Sequence, residues 1–254
     1  MAAERSKRLR VVAGPNGSGK STIIVDIQNA VYCGPFVNAD RIEQTLRSAA
    51  KKVALVQFGG LESNAAEWNA FVKAEGASWL EKAKQAGYPL NISFRDNHVV
   101  VKKEAEPGAY DAAFAADFVR HCLLHRGVAF TFETVMSAEQ KIGFLREANE
   151  AGYKVYLYFV ATDDPVTNVS RVVQRGEKGE HFVDPDTVVR RYWKSLELLS
   201  MTFAFLHRAY FFDNSGEKAV IVAELSTDKR LILREKTKTP WWVKTYVADK
   251  LNIA

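Results

Sequence analysis

The chain has 254 residues, 47% of them apolar and 26% charged, with a net charge of +5 and a pI near 9.1. That composition argues against a disordered chain and predicts a folded globular protein, and the charge reads either as a mildly basic protein or as the mark of an anionic ligand. Cys33 and Cys122 lack metal-type spacing, which argues against a disulfide framework and for a reducing compartment.

Residues 1–8 are polar and lack the apolar stretch of a signal peptide. No apolar run reaches the length of a membrane span, so a cytoplasmic location without membrane contact is expected. No dense Lys/Arg run is interleaved with aromatics, so nucleic acid is not an expected partner.

In chain order, a β-rich run at 9–13 leads into Gly14-Pro15-Asn16-Gly17-Ser18-Gly19-Lys20-Ser21-Thr22. Gly14, Gly19, Lys20 and Ser21 match the G-x-x-x-x-G-K-S spacing of a P-loop, and a helix-like run over 22–30 follows. Glycines let backbone N–H groups turn toward phosphate oxygens, and the helix adds the positive end of its dipole. In this pattern Lys20 reaches the β- and γ-phosphates of ATP or GTP, and the Ser21 hydroxyl is a ligand for Mg2+.

Further strands are predicted over 36–39, 128–132, 153–160 and 209–212, short and apolar enough to be buried on both faces. Helices alternate with them. The fold class read from this pattern is α/β: a P-loop NTPase fold with a mostly parallel five-stranded sheet flanked by helices. Residues 1–254 read as one P-loop kinase-like domain with an inserted subdomain over about 41–127. The insertion predicts helices over 49–58, 64–84 and 109–124, and a hairpin over 91–103 around Asp96-Asn97. Helices are also predicted over 138–151, 164–174 and 185–205, with a loop from Gly176 to Gly179. A C-terminal hairpin and short helix occupy about 217–254, where Trp241-Trp242 read as packing anchors.

In an open α/β sheet the site lies beyond the carboxyl ends of the strands, so polar residues there are the candidates. Asp40 ends the second run; it reads as a base for an acceptor hydroxyl or as a helix N-cap. Glu133 and Thr134 end the third; they read as ligands for an acceptor or for the metal's water shell, or as a cap. Arg171 and Arg175, four apart, share a helix face beside the Gly176 loop. They read as a lid over a γ-phosphoryl group or as a solvated face. Arg190-Arg191 cannot both lie on one face, so one is expected in solvent. His181 on its own reads as exposed or structural, and the other histidines form no ligand cluster.

These pieces together resemble the zeta-toxin family of P-loop kinases, in its standalone chromosomal branch. The matching segments are 14–22, Asn38-Ala39-Asp40-Arg41-Ile42, Phe130 to Ser137, Arg171-Val172 with Arg175-Gly176, His181-Phe182-Val183 with Arg191-Tyr192, and Asp213-Asn214-Ser215. The resemblance implies transfer of phosphate from ATP or GTP to a hydroxyl of UDP-N-acetylglucosamine or a related small molecule. It implies that Asp40 is the acceptor-side base, that Glu133, Thr134 and His181 bind the acceptor, and that Lys20, Arg171 and Arg175 surround the γ-phosphate. A small antitoxin is a partner some relatives have. The chain departs from the branch at Glu180 and Asp184, where Gly and Pro are usual, and in its insertion. The rival readings are a polynucleotide 5′-kinase and a nucleotide-binding regulator without acceptor.

Overall fold

The computed structural model describes residues 7–85, 87–177, 183–234 and 238–251. The chain divides into two compact units, one formed by residues 1–33 and 131–254, the other by 34–130.

The first unit opens with β1 (Arg8–Ala13) and α1 (Lys20–Ala30). The second contains β2 (Phe36–Val37), α2 (Ala39–Arg47), β3 (Lys52–Ala54), α3 (Ala65–Ala74), α4 (Gly76–Gln85), β4 (Ile92–Arg95), β5 (His98–Val101) and α5 (Ala109–His125). The chain then returns through β6 (Phe130–Thr134), α6 (Glu139–Glu150), β7 (Lys154–Ala161), α7 (Pro165–Glu177) and α8 (Pro185–Leu199). It ends with β8 (Arg208–Asp213), β9 (Val220–Leu225), β10 (Leu231–Leu233) and α9 (Trp241–Val243).

In the first unit the strands run in the order β10-β9-β8-β7-β1-β6. β1 pairs parallel with β7, and β7 with β8; β9 and β10 add antiparallel pairs. The C-terminal hairpin therefore lengthens the main sheet instead of standing apart from a five-stranded one. Register aligns one side of the sheet as an apolar layer. Leu9, Val11, Val155, Leu157, Phe159, Ala209, Phe211, Ala223 and Leu225 are fully buried there. Burial of each large side chain contributes about 1.5–3 kcal/mol.

The other side is buried at residues 9–13 of β1 and 130–132 of β6, as expected of strands covered on both faces, but not on β7 and β8. Tyr156, Tyr158 and Tyr210 on that side are partly exposed, and β7 and β8 alternate apolar with polar or aromatic residues. That is the pattern of a sheet with one solvated face.

The second unit carries an antiparallel sheet, β3-β5-β4. Asp96 and Asn97, at φ of 49° and 58°, make the tight turn between β4 and β5. Residues 49–58 are not the expected helix. Lys51 sits at φ 44°, and Val53 pairs with Val99, which sets β3 and then a 3₁₀ turn over Leu55–Gln57. The predicted helix over 64–84 is two helices, the first capped by Asn64, whose side chain accepts from Glu67 N at 3.0 Å. Trp68, Phe71, Phe94, Phe114 and Phe118 form its aromatic core, with ring centroids 4.9 to 5.8 Å apart. Buried Asp111 accepts from Tyr88 Oη, Asn91 N and Gly108 N, tying the start of α5 to the segment before β4.

Two other boundaries moved. Helix α8 stops at Leu199 and continues as a 3₁₀ turn over Ser200–Phe205. Helix α7 runs through Gly176 to Glu177, so Gly176 is helical and does not open a loop. Cys33 and Cys122 are free and buried. Among the described residues, no helix is long and apolar enough to cross a membrane.

Candidate active site

The phosphate loop closes as its motif requires. Gly19 caps α1 at φ 93°, a left-handed conformation. A Cβ there would lie 2.1 Å from Asn214 Nδ2, and one on Gly17 would lie 2.4 Å from Asn168 O. Both glycines exist because other segments press against the loop. Asn168, fully buried in α7, donates from Nδ2 to Asn16 O at 2.6 Å, and its Oδ1 accepts from Thr162 Oγ1. Asn214, just after β8, donates from Nδ2 to Ser18 O at 2.8 Å, while its own N–H bonds Ala161 O at 2.8 Å. The loop is thus held from two sides by side-chain amides.

Lys20 is buried, and its Nζ donates to Pro15 O at 2.8 Å and lies 3.8 Å from Glu133 Oε1. Glu133 stands near the end of β6, the strand beside β1 in the sheet. Lys20 and Glu133 thus come together. Ser21 is exposed in the first turn of α1, next to Lys20. Thr134 serves its own turn: its Oγ1 accepts from Met136 N at 3.1 Å, and Met136 takes a φ of 55°. The predicted cap at the start of α6 is absent, because Ala138 stands at the N-cap.

Arg171 lies three residues beyond Asn168 on α7, so the two share a face. Its Nη1 is buried without a hydrogen-bond partner among the described residues, as are Ser18 Oγ and Asn16 Oδ1. Unpaired buried polar atoms at a loop of this kind are donors and acceptors suited to a polar ligand. Arg175, one turn further on, is exposed. His181 lies outside the described residues.

Asp40 belongs to the second unit, in the first turn of α2. The cap of that helix is Asn38, whose Oδ1 accepts from Arg41 N at 2.9 Å, so β2 ends at Val37. The Asp40 carboxylate is exposed and takes no part in capping.

A groove of about 610 Å³ is lined by Ser137 and, from α8, by Arg190, Arg191, Trp193, Lys194 and Glu197. Both consecutive arginines reach it, Arg190 from the exposed side. Trp241 and Trp242 anchor the C-terminal segment as expected. Their Nε1 atoms donate to Asp163 O at 2.8 Å and to Asp213 Oδ1 at 3.2 Å. Burial, then the charge of Asp213, raises the Asp163 pKa above the usual aspartate value.

The loop, its two amide braces and the Lys20–Glu133 pair sit in an architecture that solved structures share. A chain of the AvrRxo1-ORF1:AvrRxo1-ORF2 complex with sulphate ions aligns at TM-score 0.53 and 15% identity, covering 91% of this chain and 62% of that one. The ATP-bound form aligns at 0.54 and 15%, covering 90% and 61%. The fold is similar to that of AvrRxo1. The PezAT chromosomal toxin–antitoxin system of Streptococcus pneumoniae aligns over 98% of this chain and 78% of its own, at 15% identity and TM-score 0.46. An uncharacterized protein of Haemophilus influenzae is 28% identical over 82 residues, 32% of this chain and 59% of that protein. The chain thus spans less than two thirds of these two AvrRxo1 chains and of the Haemophilus protein. No protein-family model matches the chain.

Asn168 was the site residue missed by sequence reading. Its signal was a polar residue on the buried stripe of α7, one turn before Val172.

Proposed function

We propose that this chain is a P-loop phosphotransferase that moves the γ-phosphate of ATP or GTP to a hydroxyl of a small molecule. The observation that carries the reading is buried Lys20, held at the P-loop between Pro15 O and the Glu133 carboxylate. Lys20 leaves Pro15 O to meet the β- and γ-phosphates, and the loop N–H groups and α1 dipole bind their oxygens. Arg171, with an unpaired buried Nη1, then faces the charge that develops on the transferring group, with Arg175 closing from the exposed side.

Among the described residues, no group of three His, Cys, Asp or Glu could hold a metal alone. The exposed Ser21 hydroxyl suits Mg2+ held mainly by phosphates and water. Ser21 would hold the ion, which would supply neutralisation of the phosphate charge. Asp40 accepts the proton of the attacking hydroxyl, Glu133 and Thr134 orient the acceptor, and His181 joins them.

A UDP-amino sugar is the acceptor that the family resemblance suggests. The groove at Ser137 supports an anionic acceptor, because Arg190, Arg191 and Lys194 outnumber Glu197 there. A second protein component, such as the one present in the AvrRxo1 complexes, is a further proposal.

The test is transfer of label from γ-labelled ATP to a panel of UDP-sugars, nucleosides and oligonucleotides. Transfer to one acceptor that vanishes with Lys20→Ala and Asp40→Ala, while Asp40→Ala still binds ATP, is the expected result. ATP hydrolysis unchanged by every acceptor would overturn it.

A further inference from the structure

The solvated side of the first unit's sheet is ordered in rows by strand register. Arg8 stands opposite Lys154, and Arg10 opposite Tyr156. Tyr156 stands opposite Arg208, and Tyr158 opposite Tyr210. Tyr210 faces Glu224 on β9. Paired side chains rise on the same face, with strands about 4.8 Å apart.

The rings and cations in these rows interlock. The Tyr158 and Tyr210 rings lie 16° from parallel with centroids 5.2 Å apart. The Arg10 guanidinium lies 5.6 Å from the Tyr156 ring centroid. Arg10 is only 5% exposed, and its Nε and Nη1 have no hydrogen-bond partner among the described residues. Glu224 is the carboxylate of these rows, answering Arg208 at 3.3 Å and Arg234 at 3.2 Å. His207 lies edge-on to Tyr156, with ring centroids 5.2 Å apart. Its pKa is lowered first by burial and then by Lys154, Arg208, Lys229 and Arg8.

We propose that this face is a platform for single-stranded nucleic acid. Partly exposed tyrosines on a sheet offer ring surfaces on which successive bases stack. The flanking arginines and lysines match the phosphate backbone in charge, and buried Arg10 supports the tyrosine rows from beneath. The platform is separate in chemistry from the P-loop: it presents rings and side-chain cations, where the P-loop presents backbone N–H groups and one lysine.

The test uses the full chain and a fluorescein-labelled 12-residue oligo(U), read by anisotropy at low salt with and without saturating Mg2+·ATP. Binding that persists with ATP, weakens steeply with salt, and falls about tenfold or more in Tyr158→Leu/Tyr210→Leu supports the platform. The exposed pair Arg208→Ala/Arg234→Ala keeps the test independent of core damage. It should also weaken oligo(U) binding while ATP binding stays as in wild type. Lys20→Ala should leave oligo(U) binding unchanged. No binding, binding abolished by ATP, or a tyrosine double variant that binds oligo(U) as wild type does overturns the proposal. So does heparin, a polyanion without bases, binding as tightly as oligo(U) and with the same dependence on the tyrosines.

Discussion

The side-chain amide of Asn168 donates to the carbonyl of Asn16 at 2.6 Å, joining helix α7 to a loop 152 residues earlier in the chain. The same side chain accepts from Thr162 Oγ1. Asn168→Leu keeps the bulk but takes the amide donor from Asn16 O, while Thr162 Oγ1 keeps Asp164 O at 3.2 Å. It should cost about 1–3 kcal/mol for the orphaned carbonyl, read by urea unfolding, and weaken ATP binding in parallel. Unchanged nucleotide affinity in a folded Asn168→Leu protein would show that the loop keeps its shape without the brace.

Gly19 and Asn214 form a second pair. Gly19→Ala meets both a left-handed backbone and the Asn214 amide 2.1 Å away. It should abolish detectable nucleotide binding. Adding Asn214→Ala makes room, so the double variant should recover part of the stability lost in Gly19→Ala while retaining the backbone cost of about 1 kcal/mol. Strict additivity of the two substitutions in a thermal-unfolding cycle would argue against this contact.

Glu133 and Lys20 lie 3.8 Å apart. Glu133→Gln removes the counter-charge, so ATP should bind as well as or better than in wild type. The transfer rate should fall, by about a hundredfold or more if the carboxylate orients the acceptor. Separate measurement of ATP binding and turnover distinguishes this from simple loop damage.

Arg171 and Arg175 share a helix face but not an environment. Arg171 has a buried, unpaired Nη1, whereas Arg175 is exposed. Arg171→Ala should lower turnover by about a thousandfold, in the range of arginines that stabilise phosphoryl transfer, and Arg175→Ala by much less. Equal losses in single-turnover assays would remove the distinction.

Asp163 has a pKa raised by burial and by Asp213. A raised carboxyl pKa penalises the charged form in the folded state. The penalty is absent below the unfolded aspartate value and complete once pH exceeds the folded one. Asp163→Asn should therefore raise the unfolding temperature at pH 7. The gain should shrink to nothing as pH falls below the ordinary aspartate range, checked by thermal scans across pH.

Much of the fold was legible because its signals are local. The P-loop is contiguous, and each glycine with its spacing is written in nine residues, 14–22. The Asp96-Asn97 turn and the Asn64 cap are also short-range features. Residues 49–58 were misread because Val53 and Leu55 fit either a helix or a strand until β5 supplies a partner. Gly176 was misread as a breaker because one glycine costs a helix only about 1 kcal/mol, which the packing of Asn168 and Val172 offsets.

The sequence by itself determined that a phosphate loop would form after β1 and that α/β alternation would build a sheet around it, since both depend on neighbours within a few residues. Only the tertiary structure decided what braces that loop. Asn168 and Asn214 lie 152 and 196 residues from the carbonyls they hold, and no local pattern encodes those pairings. The tyrosine and arginine face was decided in the same way. Its cations and rings alternate along each strand at a period of two, so no linear run shows them together. Parallel register of β1, β7 and β8 sets Arg10 beside Tyr156 and Tyr158 beside Tyr210, and only that register makes a surface of them.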